Sequence, residues 1–101
     1  MHYVICYDLE NDPLRDRAAK LLERNGCLRV QKSVFVAPDL DRKAWGRLQQ
    51  GLRQLFARYP LRPADSLYIV PLRDEHVAEI QAYGLATVVE ALQAQPLKIV
   101  L

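Results

Sequence analysis

Three apolar runs in the sequence are too short for helices and are bounded by polar or proline-containing segments. HYVICYDL precedes the polar ENDP and predicts a buried strand over residues 2–9. CLRVQKSVFVA predicts one or two strands between residues 28 and 37, with a bulge or tight reversal near residues 31–33. SLYIVPL predicts a further strand after the loop PLRPAD, and Pro71 indicates that one side of this strand is unpaired.

Two helices are predicted between these runs. Asp12 as N-cap, Pro13 at the first helical position and Gly26 as the stop delimit the first helix. The second begins after Asp41 and ends at Pro60. Its apolar residues recur at helical spacing and form one face: Trp45, Leu48, Leu52, Leu55, Phe56 and Tyr59. That face is expected to pack on the core.

The C-terminal part of the chain has a less regular pattern. Val77 and Ile80 predict a helical turn or short helix, residues 86–92 fit either a strand or a helix, and LKIVL predicts a terminal strand. An apolar strand at a terminus is usually held in its own sheet or in that of a partner.

The order strand, helix, strands, helix, strand predicts an α+β sandwich with two helices on one face of an antiparallel sheet. The 101 residues, 50% of them hydrophobic, allow one domain over residues 1–101 with its own core. The other sheet face needs a cover, and a second copy of the chain is the simplest one.

The composition argues against a membrane protein and against a disulfide scaffold. No window approaches the roughly 18 apolar residues of a membrane helix, and MHYVICYDLE lacks the features of a signal peptide, so we expect a cytoplasmic protein. Cys6 and Cys27 lie in apolar segments without metal-site spacing, which predicts buried thiols.

The net charge of +2 is modest, but basic residues concentrate in one region. The segment from residue 15 to residue 32 contains two acidic residues, Asp16 and Glu23, and six basic ones: Arg15, Arg17, Lys20, Arg24, Arg29 and Lys32. This surplus suits a polyanion, and a solvated helix face explains it equally well. Arg15 and Arg17 lie in the first helical turn, where the helix dipole disfavours cations, and this placement suggests a site near Asp8.

Four motifs follow one another: YDL at the end of the first strand, RDR in the first helical turn, LRVQKSVF after that helix, and DS before the last long strand. Their residues are Tyr7, Asp8, Leu9, Arg15, Arg17, Arg29, Gln31, Ser33, Val34, Phe35, Asp65 and Ser66. In this order the motifs resemble those of the small CRISPR-associated adaptation protein of the Cas-two family, over nearly the whole length. The resemblance implies a ferredoxin-like βαββαβ sandwich with an additional C-terminal strand.

The resemblance also implies a function. Family members are homodimers whose sheets face one another, so residues 85–101 are expected to pack on the partner. In the family, the two copies of the strand-end aspartate, here Asp8, meet at the dimer axis and hold a divalent metal, usually Mg²⁺. Members are described as metal-dependent endonucleases on RNA or double-stranded DNA, and as the central subunit of the integrase complex that inserts spacers during antiviral defence.

Physical chemistry agrees with these implied roles. Two carboxylates about 6 Å apart, at an effective dielectric of about 20, repel by about 3 kcal/mol, and a divalent cation would relieve that repulsion. Asp8 is therefore the predicted catalytic and metal-binding residue. The predicted nucleic-acid-binding residues are Arg15, Arg17, Arg29, Gln31 and Ser33. Tyr7 and Phe35 are expected to act in positioning or in the dimer interface.

One departure from the family pattern leaves an alternative open. VAPDL follows the SVF motif, so no carboxylate occurs after Phe35 until Asp39, and Asp8 is the only strong ligand in each chain. A non-catalytic dimeric scaffold that binds duplex DNA and bridges integrase subunits is the alternative. An acylphosphatase-like enzyme fits poorly because DLENDP has no glycines to cradle a phosphate. His2 and His76 are isolated in sequence and are not expected to act as ligands or bases.

Overall fold

A computed structural model describes residues 1–81 and residue 83. Its elements, in chain order, are β1 (His2–Asp8), α1 (Asp12–Arg24), β2 (Leu28–Gln31), β3 (Val34–Ala37), α2 (Arg42–Arg58), β4 (Ser66–Leu72) and α3 (Asp74–Val77). The predictions for residues 85–101, the C-terminal strand among them, lie outside the described residues. Within the described part of the chain, no helix has the length and apolar content needed to cross a membrane.

The four strands form one sheet in the order β2-β3-β1-β4, with every neighbouring pair antiparallel. This is the strand order of a ferredoxin-like βαββαβ sandwich, so the predicted antiparallel α+β fold is confirmed. The reversal predicted near residues 31–33 separates β2 from β3, and the register of that pair shifts between Arg29 and Gln31. Pro71 lies in β4, which is an edge strand among the described strands. Proline has no amide hydrogen to donate, and on the outer side of β4 there is no described strand that would need one.

Both long helices pack on one face of the sheet. Alternate residues of β1, Tyr3, Ile5 and Tyr7, belong to the large core cluster that includes residues of α1 and α2. Trp45 of α2 stacks on Tyr3, with ring centroids 4.1 Å apart. This arrangement confirms the predicted helical layer and the apolar face of α2.

The opposite sheet face, which we call the open face, is only partly covered. Val36 and Val77 form a small buried cluster there, so α3 covers one region through Val77. Tyr68 is 58% exposed, Leu28 44% and Val70 41%, although the register places all three on this face. The open face therefore carries exposed apolar side chains of the kind that mark an interaction surface.

The helix termini agree with the predictions except at the start of α1. The N-cap is Asn11, whose Oδ1 accepts a hydrogen bond from the Leu14 amide at 3.0 Å. The prediction of Asp12 as N-cap was wrong by one residue, since Asn and Asp cap equally well and the sequence offers both. Asp12 is the first helical residue and pairs with Arg15 instead. The stop is confirmed, because Gly26 adopts a φ of 82° just beyond the helix.

Both cysteines are free thiols, as predicted, but the predicted burial is complete only for Cys27. Cys27 is buried, and burial raises its pKa to about 11, so the thiol stays protonated at neutral pH. Cys6 is partly buried on the open face, opposite Tyr68. A side-chain hydrogen bond with Cys6 raises the pKa of Tyr68.

The two glycines of α2 lie in different surroundings. A Cβ atom at Gly46 would meet nothing within 4 Å, whereas one at Gly51 would lie 2.8 Å from Leu21 Cδ1 on α1. We expect Gly46→Ala to raise the free energy of unfolding by about 1 kcal/mol, because alanine loses less backbone entropy in a helix. Gly51→Ala is the matched control and should gain less, since Leu21 must move. Urea denaturation measures both, and equal gains would contradict the close approach of α1 and α2.

Candidate active site and nucleic-acid surface

Asp8 is the last residue of β1 and its side chain is exposed. It pairs in register with Ser66 of β4 and lies on the open face, the same side of β1 as Val4 and Cys6. The neighbouring Leu9 is buried and fixes the chain just beyond the carboxylate. The carboxylate of Asp8 is therefore held by a rigid strand at the margin of an exposed apolar surface.

A single chain presents no complete metal site in the part that the structure describes. Those residues contain no group of three or more His, Cys, Asp or Glu side chains arranged to hold a metal ion. Asp8 forms no ion pair with any described residue, so its oxygens are accessible to an external cation. Carboxylate oxygens are suitable donors for a hard divalent ion, but one carboxylate is a weak site by itself.

Arg15 and Arg17 lie in different surroundings. Arg15 Nη1 donates a hydrogen bond to the carbonyl of Leu9 at 3.0 Å, which holds the guanidinium beside the end of β1. The Arg17 guanidinium instead lies 5.0 Å from the ring centroid of Tyr59, in the groove between α1 and α2. Arg15 is therefore placed near the end of β1, whereas Arg17 belongs to the helical side of the molecule.

The turn between β2 and β3 is attached to the end of β1. The carbonyl of Ser33 accepts a hydrogen bond from the Tyr7 amide at 3.1 Å, one residue before Asp8. Arg29 Nη1 donates to the carbonyl of Lys32 at 2.7 Å and closes this turn. Gln31 is exposed at the end of β2, and Ser33 is partly buried. The structure thus brings the turn and Arg15 to the strand end that carries Asp8.

Tyr7 and Phe35 lie in the core between the sheet and the helices. Their ring centroids are 6.1 Å apart, and the Arg29 guanidinium lies 4.9 Å from the centroid of Phe35. The buried Tyr7 hydroxyl has no hydrogen-bond partner among the described residues. Both rings face away from the open face, so their contacts suit the positioning of Asp8 and Arg29 and not a dimer interface on that face.

His2 makes polar contacts that could not be predicted from the sequence. His2 is 3% exposed; its Nδ1 accepts a hydrogen bond from the Asp39 amide at 3.0 Å, and its Nε2 contacts Asp74 Oδ1. His2 is isolated in the sequence, but the fold brings two distant segments to it. Both ring nitrogens are occupied, and the contacts tie α3 to the start of β1.

Asp65 of the DS motif fastens the loop before β4 to the segment after β1. Its Oδ1 accepts from the Glu10 amide at 3.0 Å and its Oδ2 accepts from the Arg62 amide at 2.9 Å. The two backbone donors lower the pKa of the Asp65 carboxyl below its usual range. The motif was visible in the sequence, but the long-range partner was not.

The shifted pKa of Asp65 predicts a pH-dependent contribution to stability. Because the folded pKa lies below the unfolded value, the contribution is complete above the unfolded pKa and is lost as the pH falls through the folded pKa. Asp65→Asn should therefore lower the urea midpoint at pH 7, and the difference from the natural protein should shrink below about pH 4. A difference that stayed constant between pH 7 and pH 3 would contradict stabilisation by the charged form.

The sequence matches the family model described as CRISPR associated protein Cas2 over residues 1–80. The protein belongs to the Cas2 family. The match runs from β1 through α3 and includes Asp8, the two helix-opening arginines and the turn beside β1. The family resemblance drawn from the sequence motifs is confirmed.

Named relatives and solved structures agree with this assignment. CRISPR-associated endoribonuclease Cas2 3 of Synechocystis is 35% identical over 82 residues, which covers 81% of this chain and 83% of the relative. A hypothetical protein from Thermus thermophilus is 34% identical with a TM-score of 0.58, covering 71% of this chain and 80% of that one. A chain of a partial Cas6-RT-Cas1–Cas2 complex is 24% identical with a TM-score of 0.69, covering 83% and 91%, and shows the shared Cas2 fold.

Proposed function

We propose that this Cas2 family protein is a homodimeric, Mg²⁺-dependent endonuclease of CRISPR adaptation that cleaves phosphodiester bonds in RNA or double-stranded DNA. The observation that carries the proposal is the exposed Asp8 carboxylate at the margin of the open face. The endoribonuclease name of the Synechocystis relative favours nuclease activity over the alternative of a purely structural scaffold.

The open face favours a second copy of the chain as its cover. Tyr68, Val70 and Leu28 are exposed apolar residues on the face that also carries Asp8. A two-fold interface uses the same patch on both copies, and an apolar patch can pack against an identical apolar patch. A two-fold axis near the end of β1 would bring the two Asp8 residues toward one another.

The donor set fits a divalent metal shared between the copies. Each chain contributes one Asp8 carboxylate, and no described cluster of three or more ligands offers a competing site within a chain. Two carboxylates of like charge favour a hard cation with oxygen ligands. When bound, Mg²⁺ would supply positive charge beside the scissile phosphate and make water there a better nucleophile.

The residues around Asp8 suit the binding of a phosphate backbone. Arg15 is held by the Leu9 carbonyl and pairs with Asp12, and the N–H groups that these two contacts leave are suited to charge-assisted hydrogen bonds with phosphate oxygens. Arg29 is held by the Lys32 carbonyl and lies over the Phe35 ring, on the helical side of the sheet. The Ser33 hydroxyl is a further donor at the turn. Arg15 and Ser33 would orient the scissile bond beside Asp8, and Arg17 and Arg29, on the helical side, would contact the nucleic-acid backbone farther away.

Metal removal tests the proposal. Purified protein should cleave RNA or duplex DNA with Mg²⁺, lose the activity with excess EDTA and recover it when Mg²⁺ is restored. Separation of the products on a denaturing gel measures the rate. Cleavage that persists in EDTA would contradict metal dependence. Duplex binding without cleavage under every metal condition would favour a scaffold that bridges integrase subunits.

A further inference from the structure

Helix α2 carries five basic residues and no carboxylate over its 17 residues. They are Arg42, Lys43, Arg47, Arg53 and Arg58. All five side chains are exposed, and none forms an ion pair with a described carboxylate. None belongs to the basic region between Arg15 and Lys32, so the charge of this helix has no role in the site described above.

The five basic side chains share the outer face of α2. At about 100° per residue they fall within an arc of about 160°, centred opposite the buried Leu48 and Leu52. With a rise of about 1.5 Å per residue, Arg42 and Arg58 are separated by about 24 Å along the helix axis. The result is a basic stripe that runs the length of the helix.

Helix α1 extends this stripe across a groove of about 730 Å³ between the two helices. Arg17, Lys20 and Arg24 of α1 line the groove, with Arg58 and Tyr59 on the side of α2. The guanidinium groups of Arg17 and Arg58 lie 5.0 and 5.8 Å from the Tyr59 ring centroid. The acidic lining residues, Asp12 and Asp16, lie in the first turns of α1.

This basic surface is on the opposite side of the sheet from Asp8. Both helices pack on the face of Tyr3, Ile5 and Tyr7, whereas Asp8 lies on the open face. A second copy that covers the open face would leave the outer face of α2 accessible. The stripe is therefore separate from the proposed metal site.

We infer that the outer face of α2, with the adjoining α1–α2 groove, is a second binding surface for the phosphate backbone of duplex nucleic acid. Four of the five basic residues of α2 are arginine, whose guanidinium matches phosphate oxygens in a bidentate manner. At about 3.4 Å per base pair, the 24 Å stripe follows about seven base pairs. The inference rests on the proposed function only in taking nucleic acid as the ligand.

The composition of this face favours nucleic acid over an acidic protein. The exposed large hydrophobic side chains of the described residues, Met1, Leu28, Leu61, Tyr68, Val70 and Tyr83, all lie outside α2. Protein interfaces usually have an apolar centre within a polar rim, and the outer face of α2 has none. Interfaces with nucleic acid are more polar and more positively charged.

Fluorescence anisotropy with a labelled duplex of about three helical turns, in EDTA and at several salt concentrations, tests the inference. The variant Arg47→Gln/Arg53→Gln removes two charges from the stripe. The control Arg62→Gln/Arg73→Gln removes the same charge from exposed positions outside α2. We expect the α2 variant to weaken binding about 10-fold or more. The salt slope, which is the steepness with which log K falls as log salt concentration rises, should decrease by about 1.8, because each lost phosphate contact removes about 0.9. The control should keep the natural slope.

Equal losses in both variants would overturn the inference, because net charge would then explain them. An unchanged slope in the α2 variant would also overturn it. The same assay with polyglutamate in place of the duplex tests whether the ligand is an acidic protein. The inference would be overturned if the natural protein bound polyglutamate but not the duplex, and if the α2 variant lost that binding. Binding in EDTA does not require the metal, so a failure here would leave cleavage through Asp8 untested, and a failure of cleavage would leave this binding intact.

Discussion

Asp8→Asn is expected to lower the rate of Mg²⁺-dependent cleavage by at least about 100-fold. The substitution keeps the shape of the side chain and removes one negative charge from each copy at the proposed metal site. A metal ion contributes several kcal/mol of charge stabilisation in a transition state, and each 1.4 kcal/mol corresponds to about tenfold in rate. The initial rate of RNA or duplex cleavage at saturating Mg²⁺ is the measurement.

Glu23→Gln is the matched control for this variant. Glu23 is an exposed carboxylate on α1 that does not line the α1–α2 groove, so its substitution changes the net charge by the same amount away from the open face and from the groove. We expect its cleavage rate to stay within about twofold of the natural rate, since exposed surface substitutions have small effects. Full activity in Asp8→Asn, with preparations of equal purity, would assign the cleavage to another residue or to a contaminant.

Val70→Asp is expected to convert the dimer into a monomer and to abolish cleavage with it. Val70 is 41% exposed on the open face, so an aspartate there is tolerated by a single chain. In a two-fold interface the substitution places like charges near one another and desolvates them, which costs several kcal/mol. Sedimentation velocity measures the oligomeric state, and the same samples are assayed for cleavage.

Leu61→Asp provides the corresponding control. Leu61 is 42% exposed in the segment before β4 and lies outside the sheet, so the two variants match in exposure and in the charge introduced. The Leu61 variant should remain a dimer and remain active. A Val70→Asp protein that still formed the dimer would show that another surface joins the copies, and an active monomer would contradict a shared site.

Local patterns in the sequence were sufficient to predict the described elements of the fold. The strands were predicted because short apolar runs end at polar or proline-containing segments, and α2 because one apolar face begins after the N-cap Asp41. The start of α1 was one residue off because Asn11 and Asp12 are adjacent and both suit an N-cap. Errors of this size arise where two neighbouring residues satisfy the same rule.

The parts that the sequence did not predict depend on contacts between distant segments. His2 is buried because α3 returns to the start of β1, and nothing near His2 in the sequence indicates Asp74 as a partner. Arg17 was grouped with Arg15 by spacing, but Tyr59 at the end of α2 attracts its guanidinium to the other side of the molecule. Such pairs follow from tertiary packing and not from local pattern.

The basic stripe of α2 shows a different limit. Its five basic residues are evident in the sequence, but their spacing alone does not show that they share one exposed side of the helix. Only the packing of Leu48 and Leu52 fixes which side of α2 faces solvent, and with it the common direction of the charges. The basic residues of a helix can be assigned to one exposed surface only when the buried face of that helix is known.

Metal stoichiometry tests the central claim most directly. Titration of the natural protein with Mn²⁺ as a spectroscopic substitute for Mg²⁺ should give one bound ion per dimer, a half-equivalent per chain, and Asp8→Asn should bind none at that site. One ion per chain, or the same half-equivalent in Asp8→Asn, would contradict a site built from two Asp8 carboxylates at the dimer axis.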